Sequence, residues 1–151
     1  MLVRLHAHRE WANKRSIEWM PTLPEPDEYC HKMISHILLS EAMWLLRLHG
    51  GSDPEISRVI TNWESFPLNE LALRSVVNNS GWKNVLQSDL SRRVRFTRFA
   101  GEESESIVSD IATHVCTHGV YHRGQIAAQA ARLGLHAPPT DFIVYSRLFP
   151  E

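Results

Sequence analysis

The sequence has little cysteine, and its two cysteines do not form a redox or zinc motif. They are Cys30 and Cys116, and neither belongs to a CxxC pair. A disulfide framework is therefore not expected, and a reducing compartment is the default. The N-terminal stretch MLVRLHAHREW has a charged residue or a histidine every few positions. It lacks the apolar segment of a secretory signal, and we expect a cytoplasmic protein.

An excess of either charge is also missing. Lys and Arg number 16 and Asp and Glu number 17, which gives a net charge of −1 at pH 7. A nucleic-acid-binding surface needs clustered basic residues, and the basic run RRVRFTR at 92–98 is offset by nearby acidic residues. That run predicts a solvated edge, and we expect no nucleic-acid partner. No apolar run approaches the roughly 18 residues of a membrane span, so no membrane partner is expected either.

Several catalytic and nucleotide-binding motifs are absent from the sequence. Neither GxGxxG nor GxxxxGK[ST] occurs, which argues against the glycine-rich loops that cradle phosphates. The GxSxG elbow that carries a hydrolase serine is missing as well. What the sequence does have in excess is histidine, with nine among 151 residues.

The hydrophobic pattern predicts an all-α protein. The length suits one domain covering residues 1–151. Periodic apolar residues, proline and glycine punctuation and acidic helix starts predict helices at 1–20, 27–48, 68–90 and 103–133, with a short last helix at 141–148. Residues 50–66 are expected to form a loop, and 92–99 a short extended piece. We therefore predict an antiparallel four-helix bundle with a short extra C-terminal helix.

Three histidines recur one helical turn apart in the fourth predicted helix. They are His114, His118 and His122, and random scatter of nine histidines gives about 0.03 such triples. The apolar stripe of this helix passes through His118 and His122, and His114 lies just off its edge. Two buried imidazoles are costly unless each finds a partner, and one divalent metal ion would satisfy both.

A third ligand must come from another helix, because one helical face cannot surround an ion. Among the remaining histidines, His36 is the one embedded in an apolar stripe well inside a helix. Three neutral histidines with one open position are typical of a catalytic site rather than a closed structural one. The alternative is that these histidines hydrogen-bond within the core or line a solvated groove.

The segment His118-Gly-Val-Tyr-His122-Arg-Gly-Gln resembles the signature of the DinB-like family of metal-binding four-helix bundles. Three further stretches agree with it: Trp11-Ala12-Asn13, the run from His36 to Glu41, and Pro138-Pro139-Thr140-Asp141 followed by Tyr145. The resemblance covers essentially the whole chain. One departure is His8, where the family usually has an aromatic residue.

The resemblance implies an antiparallel bundle with a divalent metal ion held by His36, His118 and His122. It also implies frequent homodimers and a related branch of transferases and maleylpyruvate isomerases that use a low-molecular-weight thiol. The metal is expected to be zinc, with nickel, iron or manganese as alternatives. Resemblance specifies a scaffold better than an activity, because one fold hosts many reactions.

Other side chains near the motif are candidates for roles beside the metal. Arg123 is a candidate clamp for a substrate carboxylate, with a surface salt bridge as its alternative. Tyr121 and Gln125 border the predicted site and are candidates for orienting a bound water. His114 is a candidate for the pocket mouth. Position along the predicted helices also gives expectations for residues outside this group. Glu41 is expected to be structural, Cys116 to pack in the core and Trp44 to lie near the metal. His6 and His8 are expected to play no part in the metal site.

The leading functional hypothesis is a divalent-metal-dependent enzyme acting on a small molecule. In it, the metal ionises a small thiol that then attacks an electrophile, as in an S-transferase or isomerase. A metal-hydroxide hydrolase is one alternative. The other is a non-catalytic metal-binding stress-response protein, in which the ion mainly stabilises the bundle.

Overall fold

The computed structural model describes residues 1–51, 54, 65–98 and 101–150, and most of them are helical. The elements follow in the order α1 Leu2–Trp19, a 3-10 turn Met20–Thr22, α2 Glu28–Leu48, α3 Leu68–Leu86, β1 Arg93–Thr97, β2 Glu103–Ile107, α4 Val108–Arg132 and α5 Phe142–Leu148. No helix within the described ranges is both long enough and apolar enough to cross a bilayer.

The ends of α2 show how local sequence sets a helix boundary. Before it, Pro21 and Pro26 interrupt helical hydrogen bonding. Asp27 is the N-cap, and its side chain accepts a hydrogen bond from the Cys30 N–H at 2.7 Å. After the helix, Gly50 takes a positive φ of 73°, which glycine adopts without strain. The predicted span of 27–48 is confirmed to within one residue.

The prediction of a purely α-helical fold is wrong at residues 103–107. They form β2, which pairs antiparallel with β1, and α4 begins only at Val108. The acidic residues at 102–105 suggested a helix start, but the alternating Glu-Ser-Glu-Ser pattern suits a strand with two different faces. Glu105 accepts hydrogen bonds from Arg93 and Arg95 across the ladder at 2.7 and 3.2 Å.

The end of α3 also differs from the sequence expectation. Helix α3 ends at Leu86 rather than at residue 90, and a hydrogen-bonded turn precedes β1. The extended piece expected at 92–99 is confirmed as β1 over Arg93–Thr97. Most of the loop expected at 50–66, namely 52, 53 and 55–64, lies outside the described residues.

The four long helices pack around two apolar clusters. Helices α1 and α2 each contact both α3 and α4. One cluster gathers at the hairpin end, around Trp82, Val108 and Val115. The other includes Ile34, Ile37, Leu71 and Ile126. Burial of this apolar surface is the main favourable contribution to folding.

A group of charged and amide side chains is buried among the same helices. We call it the buried polar cluster; its members are Arg9, Asn13, Glu41, Asn78, Asn79 and Arg123, each less than 10% exposed. Arg9 pairs with the Glu41 carboxylate and also donates to Asn79 Oδ1 at 2.9 Å. The second Glu41 oxygen accepts from Asn13 Nδ2 at 2.8 Å, and Asn13 Oδ1 accepts from Arg123 at 2.8 Å.

Removing the Glu41 charge should destabilise the fold strongly. In Glu41→Gln, Arg9 and Arg123 stay buried without a carboxylate nearby, and we expect a loss of about 3–5 kcal/mol in the free energy of unfolding. Urea denaturation followed by circular dichroism measures it. The matched control is Glu70→Gln, which removes an exposed pair with Arg74 and should cost less than about 1 kcal/mol. Equal losses in the two variants would show that the cluster contributes no more than a surface pair.

Candidate metal centre

Three histidines from two helices meet at one point. His36 lies on α2, while His118 and His122 lie one turn apart on α4, which packs against α2. One ring nitrogen from each lies within 4.8 Å of the other two. The ring centroids are 5.1 Å apart for His36 and His118, 4.5 Å for His36 and His122, and 4.4 Å for His118 and His122.

Two of these histidines are held in the form that binds metals. Burial, together with the neighbouring His122, lowers the pKa of His36 to about 4 and that of His118 to about 3. Neutral imidazoles offer a nitrogen lone pair at pH 7, which is what a metal ion requires. All three side chains are half-buried, so the group lies at the edge of the core and not at its centre.

Gln125 fixes the orientation of one ring. Its Oε1 lies 2.7 Å from His122 Nδ1, so a neutral His122 that donates from Nδ1 keeps its Nε2 lone pair free. That Nε2 lies 3.0 Å from the Nε2 of His118. Two nitrogens bound to one tetrahedral zinc ion would be about 3.3 Å apart, since each Zn–N bond is about 2.0–2.1 Å. The His118 and His122 nitrogens therefore fit one divalent ion with a shift of a few tenths of an ångström, and the His36 nitrogen lies within 4.8 Å of both.

His36 and His118 line a pocket of about 620 Å³. This volume is typical of sites that enclose small molecules. The pocket runs between α2, the hairpin and α4, and its walls are partly apolar. The lining residues are His36, Leu39, Ser40, Met43, Trp44, Arg47, Phe96, Arg98, Ser104, Ser106, Asp110, Ile111, His114 and His118.

The structure brings some of the predicted site residues to this pocket. His114 is exposed on the pocket wall, and its ring contacts those of Trp44 and His118 at 5.8 and 5.4 Å. Trp44 lines the same pocket, two turns along α2 from His36, and its predicted place near the metal stays a prediction. Tyr121 is 65% exposed, and its ring lies 5.1 Å from that of His122.

Three other residues that the sequence singled out lie elsewhere. Arg123 is 4% exposed and hydrogen-bonds Asn13 in the buried polar cluster, so it does not line the pocket. Burial lowers its pKa to about 10, which leaves it charged at pH 7. Glu41 lies in the same cluster, where a structural role was expected. Cys116 is buried in the hairpin-end apolar cluster and not beside the histidines.

The sequence reasoning missed the hairpin's share of the pocket. Phe96, Arg98, Ser104 and Ser106 line it, and none was a candidate. Phe96 and Ser104 are cross-strand partners, and Ser106 pairs with Val94, so all four belong to one face of the hairpin. The alternation of glutamate and serine at 103–106 is the sequence signal that could have predicted a strand with one face towards the pocket.

Comparison with known proteins identifies the family of this chain. The sequence pattern of the DinB family matches residues 4–149. This chain belongs to the DinB family. Among its relatives is Protein DinB of Bacillus subtilis (strain 168), 23% identical over 159 residues, an alignment that covers 94% of this chain and 91% of the relative. The family resemblance expected from the histidine motif is thereby confirmed.

In this DinB-family protein, the Gln125 contact should strengthen metal binding. Gln125→Leu removes the acceptor that orients His122, and we expect zinc affinity to fall 10–100-fold. Gln125→Glu keeps an acceptor oxygen at this position and should bind zinc at least as well as the natural protein. Competition titration against a fluorescent zinc chelator measures both. An unchanged zinc affinity in Gln125→Leu would show that Gln125 does not contribute to metal binding.

Proposed function

We propose that this protein is a metal-dependent enzyme of the DinB family that acts on a small molecule. His36, His118 and His122 would hold one divalent ion, with zinc as the first candidate. The observation that carries the proposal is the convergence of three histidines, with ring nitrogens within 4.8 Å of one another, beside a pocket of about 620 Å³. Within the described residues, this is the one group of three His, Cys, Asp or Glu side chains with metal-ligand spacing.

The ligand set decides what chemistry is available. When bound by three uncharged imidazoles, a divalent ion keeps its full charge and lowers the pKa of a thiol or water at its open position. The protein's part is to keep His36 and His118 neutral by burial and to hold His122 through Gln125. The pocket walls would orient the substrate and limit the access of water.

A small-thiol transfer or isomerisation is the reaction we propose. Both cysteines of the chain are buried, and burial raises the pKa of Cys30 and of Cys116 to about 12. Neither is therefore suited to act as the nucleophile. A thiol reaction at this site would need a separate low-molecular-weight thiol, and the pocket has room for one beside a small electrophile.

The open pocket argues against an ion that serves only to stabilise the fold. Structural zinc sites are closed, with four protein ligands, whereas a catalytic site keeps a position for water or substrate. Here three histidines converge, and two of them line the pocket. Hydrolysis by a metal-activated water uses the same site, and the thiol test below separates it from thiol transfer.

We further propose that the protein works as a homodimer. Helix α3 exposes an apolar stripe at Leu73, Val76 and Val77, each more than 60% exposed. Exposed apolar patches of this kind are common at protein–protein interfaces. A cytoplasmic location remains the expectation from the sequence.

The histidine assignment predicts where metal is lost. Protein purified without an affinity tag should contain about one divalent ion per chain, and His118→Ala should contain almost none. His114→Ala is the matched control, because His114 lies one turn away on the same wall but outside the ligand group, and it should keep the natural stoichiometry. Metal analysis by mass spectrometry measures both. Full metal content in His118→Ala would show that the site is elsewhere.

The thiol proposal predicts a metal-dependent ligand effect. Cysteine-containing small thiols such as glutathione, bacillithiol and mycothiol should raise the melting temperature of zinc-loaded protein. At a thiol concentration of 100 times Kd, the free energy of unfolding should increase by about 2.7 kcal/mol. The same thiols should have little effect on His118→Ala, which keeps the pocket but lacks a ligand. S-methyl derivatives serve as the chemical control. Stabilisation by none of the thiols, together with ester or amide hydrolysis, would favour the hydrolase.

A further inference from the structure

The pocket beside the histidines continues along α2 well past them. His36, Ser40, Trp44 and Arg47 all line it, and from His36 to Arg47 the helix rises about 16 Å at 1.5 Å per residue. The wall on α4 runs from His118 through His114 to Asp110. The pocket is therefore elongated, with the histidine group at one end and the hairpin at the other.

The hairpin end is aromatic and basic. The rings of Trp44 and Phe96 meet edge to face, with centroids 5.1 Å apart. The Arg47 guanidinium lies 4.8 Å from each ring centroid and donates to the Thr97 carbonyl at 3.3 Å, so it is held in the wall. Arg98 lines the same end.

The inner face of the hairpin keeps this volume open. Strand residues that cover a core are usually apolar, but Ser104 and Ser106 occupy inward positions on β2. Their small side chains leave room between the hairpin and the helices, and their hydroxyls can donate to a ligand. The glutamates at 103 and 105 point to the other face, where they pair with Thr97, Arg93 and Arg95.

The charges that line the pocket favour an anion. Arg47 and Arg98 supply two positive charges, and Asp110 is the one carboxylate among the described lining residues. Arg98 also pairs with Glu102 at 3.2 Å, but both side chains are more than 60% exposed. Such a surface pair is weak, so a ligand anion can take the place of Glu102 at little cost.

We propose that the hairpin end of the pocket is a subsite for an organic anion with a flat apolar body. The ligand's carboxylate would lie at Arg47 and Arg98, its aromatic or unsaturated body against Trp44 and Phe96, and its remaining part would extend towards the histidines. This inference rests on the proposed function for the role of the ligand as substrate. The subsite itself depends on the hairpin and α2 and not on a bound metal.

A pair of matched probes tests the charge requirement. The acid 4-(naphthalen-2-yl)butanoate and its neutral alcohol, 4-(naphthalen-2-yl)butan-1-ol, differ in the anionic group and share the apolar body. Isothermal titration calorimetry on the full chain should show the acid binding about tenfold more tightly than the alcohol. Equal affinities would overturn the anion assignment and leave only an apolar groove.

Two arginine variants locate the anion. Arg98→Gln should weaken binding of the acid about tenfold and leave the alcohol unchanged. Arg95→Gln is the control, because Arg95 lies three residues before Arg98, on β1, but pairs with Glu105 on the outer face. Equal effects of the two variants would show that the acid responds to the overall charge of the hairpin and not to Arg98 in particular. Ser104→Leu, which fills the pocket, should abolish binding of both probes, and retained binding would place the probes outside it.

The metal-free protein separates this proposal from the proposed function. A carboxylate can bind a metal ion directly, so each titration is repeated with His118→Ala and with chelator-treated protein. The Arg98-dependent preference for the acid should persist in both. If the acid binds only to zinc-loaded protein and Arg98→Gln has no effect, the subsite is wrong while the metal site stands. If no zinc binds at all but the preference persists, the metal-dependent function fails and the subsite stands.

Discussion

The contact on which the rest of the structure depends is the buried ion pair between Arg9 of α1 and Glu41 of α2. Further hydrogen bonds stabilise a pair withdrawn from water, and here Asn13 and Asn78 donate to the Glu41 carboxylate while Asn79 accepts from Arg9. Arg123 of α4 joins through Asn13. Because such contacts tolerate little displacement, they favour one register of the four helices, and that register brings His36 opposite His118 and His122.

The geometry of α4 explains why the candidate metal ligands and the buried polar cluster stay apart. Arg123 follows His122 directly in sequence, but on a helix adjacent residues point in directions about 100° apart. Arg123 therefore enters the core, while His122 turns towards α2 and Gln125. The cluster holds two arginines against one carboxylate, and this excess positive charge lies beside the core. Together with burial, Arg9 lowers the pKa of His6 and Arg123 lowers that of His8.

The sequence predicts the structure well where side chains follow local rules of helix formation and burial, and poorly where they do not. The histidine spacing, the proline breaks and the Asp27 cap all obey local rules, and the helical spans and the meeting of the three histidines followed from them. Arg9, Asn13 and Arg123 do not obey such rules, because charged residues are rarely buried unless paired, and their partners lie far away in sequence. Residues 103–107 satisfied both a helix-start and a strand pattern, and only pairing with β1 decides between the two.

That hairpin changes what the scaffold can do. The helices alone would present the histidines on a largely open surface, since all three side chains are only half-buried. By standing over the α2–α4 groove, the hairpin adds a wall with an aromatic ring, two serines and an arginine to what would be a shallow cleft. The helices determine where an ion can bind, because packing and the buried polar cluster fix the positions of the imidazoles. The inner face of the hairpin supplies Phe96, Arg98, Ser104 and Ser106 to the pocket. Under the proposed function the helices hold the ion and the hairpin selects the molecule that reaches it, in separate parts of the fold.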